Sequence, residues 1–326
     1  MKARLVMIAA AVVGTASVAE AQCSSAPLVA RQACTASVDL VNYMTPQLAT
    51  AIAAGSSSLG QSGVLGGLGR LAITIRGTAV MNGGLPQIGD KGFSTTGTPQ
   101  NYSVDDTPVP GAGVDASIGL WEGVNLGATH VGGVDALVSA LYLPDVTGTG
   151  NDFSIKAKDG NLKLGYGVRI GVLDESVITP GVYISYLQRD LPTVSLSGSS
   201  NVQASGTTAN GSYALNDFSV KTTAVRLVAA KNLLIFGLQA GIGQDTYKAS
   251  ANILATVAGQ NASGAADMSM TRSNMFVGAT VNFFVFKLVV EAGQVSGGSL
   301  AAPTNSFSKP ADGSRTYISG GLRLAF

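Results

Sequence analysis

Residues Arg315 to Phe326 read RTYISGGLRLAF, and their alternation decides the fold class. Ile318, Leu322, Leu324 and Phe326 fall on one face, with Gly320 among them; Tyr317, Ser319, Gly321 and Arg323 fall on the other. Period two is the signature of a strand, because successive side chains point to opposite faces. The last residues of a soluble domain usually fray. A chain that ends on such a strand, closing with an aromatic residue, asks for surroundings that hold the strand down.

The same alternation recurs upstream. Leu71, Ile73 and Ile75 alternate with Arg70, Ala72, Thr74 and Arg76. Leu162, Leu164, Tyr166, Val168 and Ile170 alternate with Lys163, Gly165, Gly167 and Arg169. Val182, Ile184 and Tyr186 alternate with Tyr183 and Ser185, and Val225 and Leu227 flank Arg226. Phe236, Leu238, Ala240 and Ile242 alternate with Gln239, Gly241 and Gly243; Leu288, Val290 and Ala292 alternate with Lys287, Val289, Glu291 and Gly293. A soluble antiparallel sheet also alternates. Here, though, the polar face carries Arg, Lys and Glu set among glycines, and aromatic residues gather near strand ends. That is the pattern of strands with lipid on one face and water on the other.

Composition points the same way. Charged residues make up 12% of the 326-residue chain, about half the usual share of roughly 25%. Mean hydropathy is +0.31, and 46% hydrophobic residues argue against disorder. A net charge of +1 gives no footprint for nucleic acid. Past the N-terminus no apolar run free of glycine and charge is long enough for a spanning helix. A closed barrel is then the remaining way to satisfy every backbone group in lipid.

The connections sort into two kinds. Short turns are expected at Trp121–Asn125, Leu173–Ser176, Ala230–Leu233 and Phe283–Phe286. Long polar loops are expected at Asn82–Gly111, Thr147–Gly160, Ser197–Gly211, Ala258–Met268 and Val295–Ser314. Short turns at one end and long loops at the other are the barrel habit. Counting from Arg70 gives ten strands, and up to fourteen if Ala128–Leu143 and the first long loop hide more. The fold class is therefore all-β: a closed antiparallel transmembrane β-barrel of about 10–14 strands with an N-terminal helical segment.

Three parts are expected along the chain. Lys2 and Arg4, the apolar run Leu5–Ala19 and the small-x-small site Ala19-Glu20-Ala21 make residues 1–21 a signal peptide, cleaved before Gln22. Residues 22–69 form a helical plug or periplasmic segment, and residues 70–326 the barrel. Gln22 is not the small residue that lipid attachment at Cys23 would need. Cys23 and Cys34, the only cysteines, are expected to pair in an oxidising compartment. From Cys34 to about Ala54 the spacing of Val38, Val41, Leu48 and Ile52 predicts a helix, capped by Thr35 or Ser37 and interrupted or kinked at Pro46. The glycine-rich Gly55–Arg70 lacks the strand before it and the Lys-Ser or Lys-Thr after it that a phosphate loop needs, so it reads as an entry to the barrel.

Candidate chemistry is sparse. His130 is the only histidine and has no fixed Ser or Asp partner in the sequence, so no catalytic residue is assigned. One histidine and two paired cysteines leave no metal set, and no cofactor is implied. Asp105-Asp106 and Asp174-Glu175 read as solvated connections. The expected lumen lining is Arg70, Arg76, Lys163, Arg169, Arg226, Lys287, Glu291 and Arg323, since a charge on the lipid face near mid-bilayer costs roughly 2–4 kcal/mol. That lining either selects anions or packs a narrow, hydrated lumen; ten to twelve strands with a plug favour the second. Trp121, Tyr142, Tyr183, Tyr186, Phe283, Phe284, Phe286 and Phe326 are expected to form interfacial girdles.

With its signal peptide, hairpin rhythm and terminal TYISGGLRLAF, the chain resembles Gram-negative outer-membrane β-barrels. That resemblance implies outer-membrane localisation and contact with the lipid bilayer and lipopolysaccharide. It also implies recognition by the barrel-assembly machinery through Tyr317, Leu322, Leu324 and Phe326 of the C-terminal strand. The helix, glycine-rich run and first strand are similar to the long-chain fatty-acid transporter family, whose N-terminal segment is a hatch inside the barrel. The Asn-Pro-Ala start of that family is absent, the strand count is below its fourteen, and no ligand-binding residue carries over. The expected function is passive transport of small hydrophobic compounds through a plugged barrel. The alternatives are a structural or adhesion barrel acting through external loops and, behind both, an outer-membrane hydrolase.

Overall fold

Ten strands follow one another round a ring in chain order: β1 (Leu71–Met81), β2 (Val109–Trp121), β3 (Val134–Tyr142), β4 (Leu162–Leu173), β5 (Gly181–Asp190), β6 (Thr207–Leu233), β7 (Phe236–Val257), β8 (Gln260–Phe283), β9 (Phe286–Ser296) and β10 (Arg315–Ala325). Each pairs antiparallel with the next, and β10 closes on β1 through pairs such as Thr74↔Arg323 and Thr78↔Ser319. The C-terminal strand is thus the seam, so no sheet edge is left to lipid. The computed structural model describes residues 23–326 apart from 56–59, 89–91, 97–98, 128, 148–153, 205–206 and 301–304. The expected signal peptide lies outside the described residues.

The apolar face of the wall changes sides along the longest strands. Low on β7, Phe236, Leu238 and Ile242 face outward and are exposed; higher up, Tyr247, Ala249, Ala251, Ile253, Ala255 and Val257 face inward and are buried. On β8 the outward Met275, Val277 and Phe283 give way to inward Ala262, Ala266, Met268 and Met270. Pairing between β7 and β8 continues through this switch without a slip. The change is therefore one of surroundings: lipid outside the lower half, water outside the upper half. A spanning strand needs about 9–11 residues, whereas β6, β7 and β8 have 27, 22 and 24. Their upper halves stand clear of the bilayer.

This corrects two of the expected loops. The described parts of Ser197–Gly211 and Ala258–Met268 are mainly strand, the second with a tight turn at 258–259. In the second, the outward Asn261, Ser263 and Asp267 are polar because that face is wet. A strand Val194–Ala204 continues from β5 and pairs with the upper half of β6. The first short turn is also longer than expected: residues 122–133 carry a small hairpin, Val124–Asn125 against His130–Val131. At the other hairpins of this end the turns fall close to the expected places, with two-residue loops at 234–235 and 284–285.

Helix α1 (Leu28–Ala53) runs down inside the upper wall. It starts earlier than the sequence suggested. Thr35 and Ser37 are not caps; their hydroxyls donate to the carbonyls of Arg31 and Ala33 at 3.1 and 2.8 Å. Pro46 does not end the helix. Burial is spread round the helix and includes Ala30, Ala33, Val38, Val41, Tyr43, Ala49 and Ile52, as befits a helix with neighbours on all sides.

Candidate functional site: the plugged lumen

The chain threads the barrel from its long-loop end to its short-turn end. At the top, Cys23 and Cys34 form a disulfide. Gln32 donates to the Tyr102 hydroxyl at 3.1 Å and accepts from the Ser94 amide at 3.1 Å. Asp39 accepts from the amide and hydroxyl of Ser306 at 2.9 and 2.5 Å. Tyr43 packs on Phe307 with ring centroids 5.1 Å apart, under the Arg315 guanidinium. Burial pushes the Tyr102 hydroxyl up to about 12, so this loop anchor stays neutral. Leu215, Phe218, Val220, Ile253, Met268 and Met270 form an apolar cup round the helix.

The lower end of α1 is capped by the wall. A helix leaves its last carbonyls unpaired and carries partial negative charge there, and α1 has no basic residue in its last turn. Arg76 on β1 donates to the carbonyls of Ala54 and Ile52 at 2.8 and 3.1 Å. Arg189 on β5 donates to those of Ile52, Ala53 and Gly55 at 3.2, 3.2 and 3.1 Å. Arg226 on β6 donates to Ala53 at 2.7 Å. Three strands thus reach the same few oxygens.

One carboxylate aligns two of these arginines. Asp115 on β2 accepts from Arg76 Nε at 2.7 Å and from Arg189 Nη2 at 2.9 Å, all three buried. Arg226 is held differently. Its nearest carboxylates, Asp245 and Glu291, lie at 3.8 and 3.9 Å, so among the described residues its direct hydrogen bond goes to the plug. Glu291 is fixed by the hydroxyl of Tyr317 and the amide of Gln239, each at 3.1 Å.

Below the helix, residues 60–70 run on as irregular turns and bends. Arg323 donates to Gln61 at 2.6 Å and Lys287 to the Gly60 carbonyl at 3.3 Å. Asp135 pairs with Arg169 and accepts from the Leu65 amide at 3.1 Å. Gly181 lets the plug touch the wall: a Cβ there would sit 1.6 Å from the Ser62 carbonyl oxygen. The chain leaves at the short-turn end, where Leu71 begins β1.

Of the expected lining residues, Arg76, Arg169, Arg226, Glu291 and Arg323 are buried in the lumen, and Lys287 is half-buried there. Arg70 and Lys163 are exposed. Arg70 precedes β1 at the turn out of the plug. Lys163 has the inward parity, but it lies near the upper end of β4, where the wall opens to water. The sequence reading missed Asp115, Asp135, Arg189, Asp245, Arg272 and Arg315, all buried. In the terminal strand Leu322 and Phe326 face outward and Leu324 is half-exposed, whereas Tyr317 is fully buried. Tyr183, expected in a girdle, also points inward, with Arg169 5.5 Å above its ring. His130 is half-exposed in the small hairpin at the short-turn end. Asp106 pairs with Lys309 and Glu175 with Lys231, so both tie connections together.

No protein-family model and no curated protein matches the chain. Among solved structures it is similar to Ail, the attachment invasion locus protein of Yersinia pestis: 12% identity, covering 79% of this chain and 99% of that one, TM-score 0.28. A TodX monoaromatic hydrocarbon channel variant gives 8% identity, 78% and 89% coverage and TM-score 0.29. OmpT, an outer membrane protein of Vibrio cholerae, gives 11%, 78%, 98% and 0.21. Likenesses this distant carry no functional argument, and the chain's own residues must supply it.

Proposed function

We propose that this protein is a non-enzymatic outer-membrane barrel held shut by its own N-terminal segment, passing small hydrophobic compounds when that segment yields. The observation that carries the reading is the capping of the α1 C-terminus by Arg76, Arg189 and Arg226. The plug is held at mid-barrel by hydrogen bonds, which can exchange, while the disulfide lies at the far, upper end. The cup around α1 is apolar, which supports an apolar cargo once the helix moves. The outward apolar band supports a lipid partner, and the outward Leu322 and Phe326 at the seam support recognition by the assembly machinery. Lipopolysaccharide is the natural neighbour of the tall wall on the long-loop side.

The test is conductance of the refolded mature protein in a planar bilayer, beside a chain lacking residues 22–69 whose folding is checked by heat-modifiable gel mobility. The expected result is silence from the first and steady conductance from the second. A large steady conductance from the intact protein would overturn the closed state. Silence from both, with both folded, would favour an adhesion role. That second reading rests on the height of β6–β8, whose upper outward face is polar, with Lys221, Lys248, Ser250 and Ser269 exposed.

A further inference from the structure

Every connection at the short-turn end carries exposed apolar side chains at its tip. These are Leu126 between β2 and β3, Val177 and Ile178 between β4 and β5, Leu234 and Ile235 between β6 and β7, and Phe284 and Val285 between β8 and β9. Leu68 does the same just before β1. Leu234 and Phe284 are essentially bare, at 97% and 108% relative exposure. Both also adopt positive φ, +56° and +48°, a conformation that bulky residues avoid and that Gly or Asn normally supplies in a two-residue hairpin loop. Two local preferences are broken together, twice, at the same end. Among the described residues nothing covers either side chain.

The height of the lateral band supplies a reason. Outward apolar residues run over Phe236–Ile242 on β7 and Met275–Phe283 on β8, then turn polar at Gln244 and Ser273. At about 3.3 Å per residue and a tilt near 40°, those runs cover only about 15–20 Å along the membrane normal, against about 25 Å for a typical barrel. On these two strands the missing height lies beyond the turns, because above the runs the outward face is mainly polar, Leu254 being an exception; on β4 the outward run Leu162–Val172 is longer.

We infer that the short-turn rim is sunk into the membrane, with Leu234, Phe284 and their counterparts buried at the boundary between headgroups and acyl chains. The apolar tips occur at every hairpin round the ring, as an annulus of lipid demands; a protein partner would mark one sector. They also continue the lipid-facing band through Leu233, Phe236, Phe283 and Phe286. Burial in the interface offsets the backbone strain and completes the apolar height of β7 and β8.

The test uses the full mature chain in phosphatidylcholine–phosphatidylglycerol vesicles, with Trp121→Phe removing the native fluorophore. Leu234→Trp and Phe284→Trp report the tips, Val277→Trp the band and Lys248→Trp the upper wall. Both tip reporters should be quenched at least twofold by lipids brominated near the ester end, and less by lipids brominated near the methyl end. Val277→Trp should be quenched by both, and Lys248→Trp by neither. As a second measure, Leu234→Cys should react with a membrane-impermeant maleimide at least tenfold more slowly than Lys248→Cys, with vesicles opened so that both faces are reached. Tips that behave like position 248 in both measurements would overturn the inference and leave the rim free for a protein partner.

Discussion

Asp115 is the residue on which the closed state should depend most. It lies under two arginines whose other donors hold the last turn of the plug, and all three are shielded from water. Asp115→Asn keeps the shape and removes the charge. Its amide nitrogen must then face a guanidinium that offers only donors. Removing one partner from a buried ion pair typically costs about 3–5 kcal/mol, against about 0.5 kcal/mol or less for Asp267→Asn on the exposed outer wall. Two arginines lose their common partner here, so the upper part of that range is expected. The assay is urea unfolding in vesicles, followed by Trp121 fluorescence, with planar-bilayer recording alongside. The expected result is a lower midpoint and brief openings absent from the parent, because Arg76 and Arg189 no longer hold one orientation beneath Ile52–Gly55. A variant within about 1 kcal/mol of the parent, and equally silent, would refute the idea that this triad latches the plug.

Other consequences follow from single contacts. Gly181→Ala drives a methyl group into the Ser62 carbonyl; overpacking of this kind costs about 1–3 kcal/mol, and the urea midpoint should fall accordingly. Replacing Cys23 and Cys34 together by serine frees a loop with a sequence separation of 11; such short loops are worth about 2–3 kcal/mol, so thermal unfolding should begin earlier, most visibly in protease sensitivity of the helix start. Tyr102 has a folded value raised from 10.0 to about 12 by burial. Its contribution is complete below pH 10 and is lost as pH rises towards 12, so tyrosinate absorbance in that window should appear together with loosening of the loop that holds Gln32.

What could be read from the sequence follows the strength of alternation on each segment. Arg76, Arg169, Arg226 and Arg323 were legible because each sits between outward apolar residues in the lipid-facing half. Asp115 and Asp135 obey the same rule, between Val114 and Ala116 and between Val134 and Ala136. Asp115 is hard to see because the first long loop blurs the start of its strand, and Asp135 because the alternation over Ala128–Leu143 is ambiguous. The upper halves of β6–β8 were harder for a physical reason. Their outward face meets water and their inward face meets a helix, so polar and small apolar residues alternate in the opposite sense and look like loop. The sign was present on β7, where the apolar positions pass from even numbers (236–242) to odd numbers (247–257) within one strand. The arginine cap was not legible at all, since it joins the end of a helix to three strands far apart in sequence.

The number of strands explains why plug and charges occur together. A barrel of about eight strands can be filled by its own side chains, and one of about sixteen leaves an aqueous channel. Ten strands fall between: too wide for inward side chains to meet, too narrow to hold bulk water across the whole section. Above the membrane the space is filled by α1, whose small residues Ala30, Ala33, Ala36 and Ala49 are fully buried. Below, where only an irregular segment without helix continues, the lumen is filled by long side chains, and arginine is the longest reach available with five donors. Arginine brings charge, so the same wall carries Asp115, Asp135, Asp245 and Glu291. Leucine or methionine could fill that volume without carboxylates, and replacing buried ion pairs by apolar groups is often neutral or stabilising. An apolar filling, however, could not cap the carbonyls of Ile52–Gly55. The cationic half of the lumen therefore follows from ending a helix inside the barrel, and a chain that filled its lumen with apolar side chains would have to dispense with the plug as well.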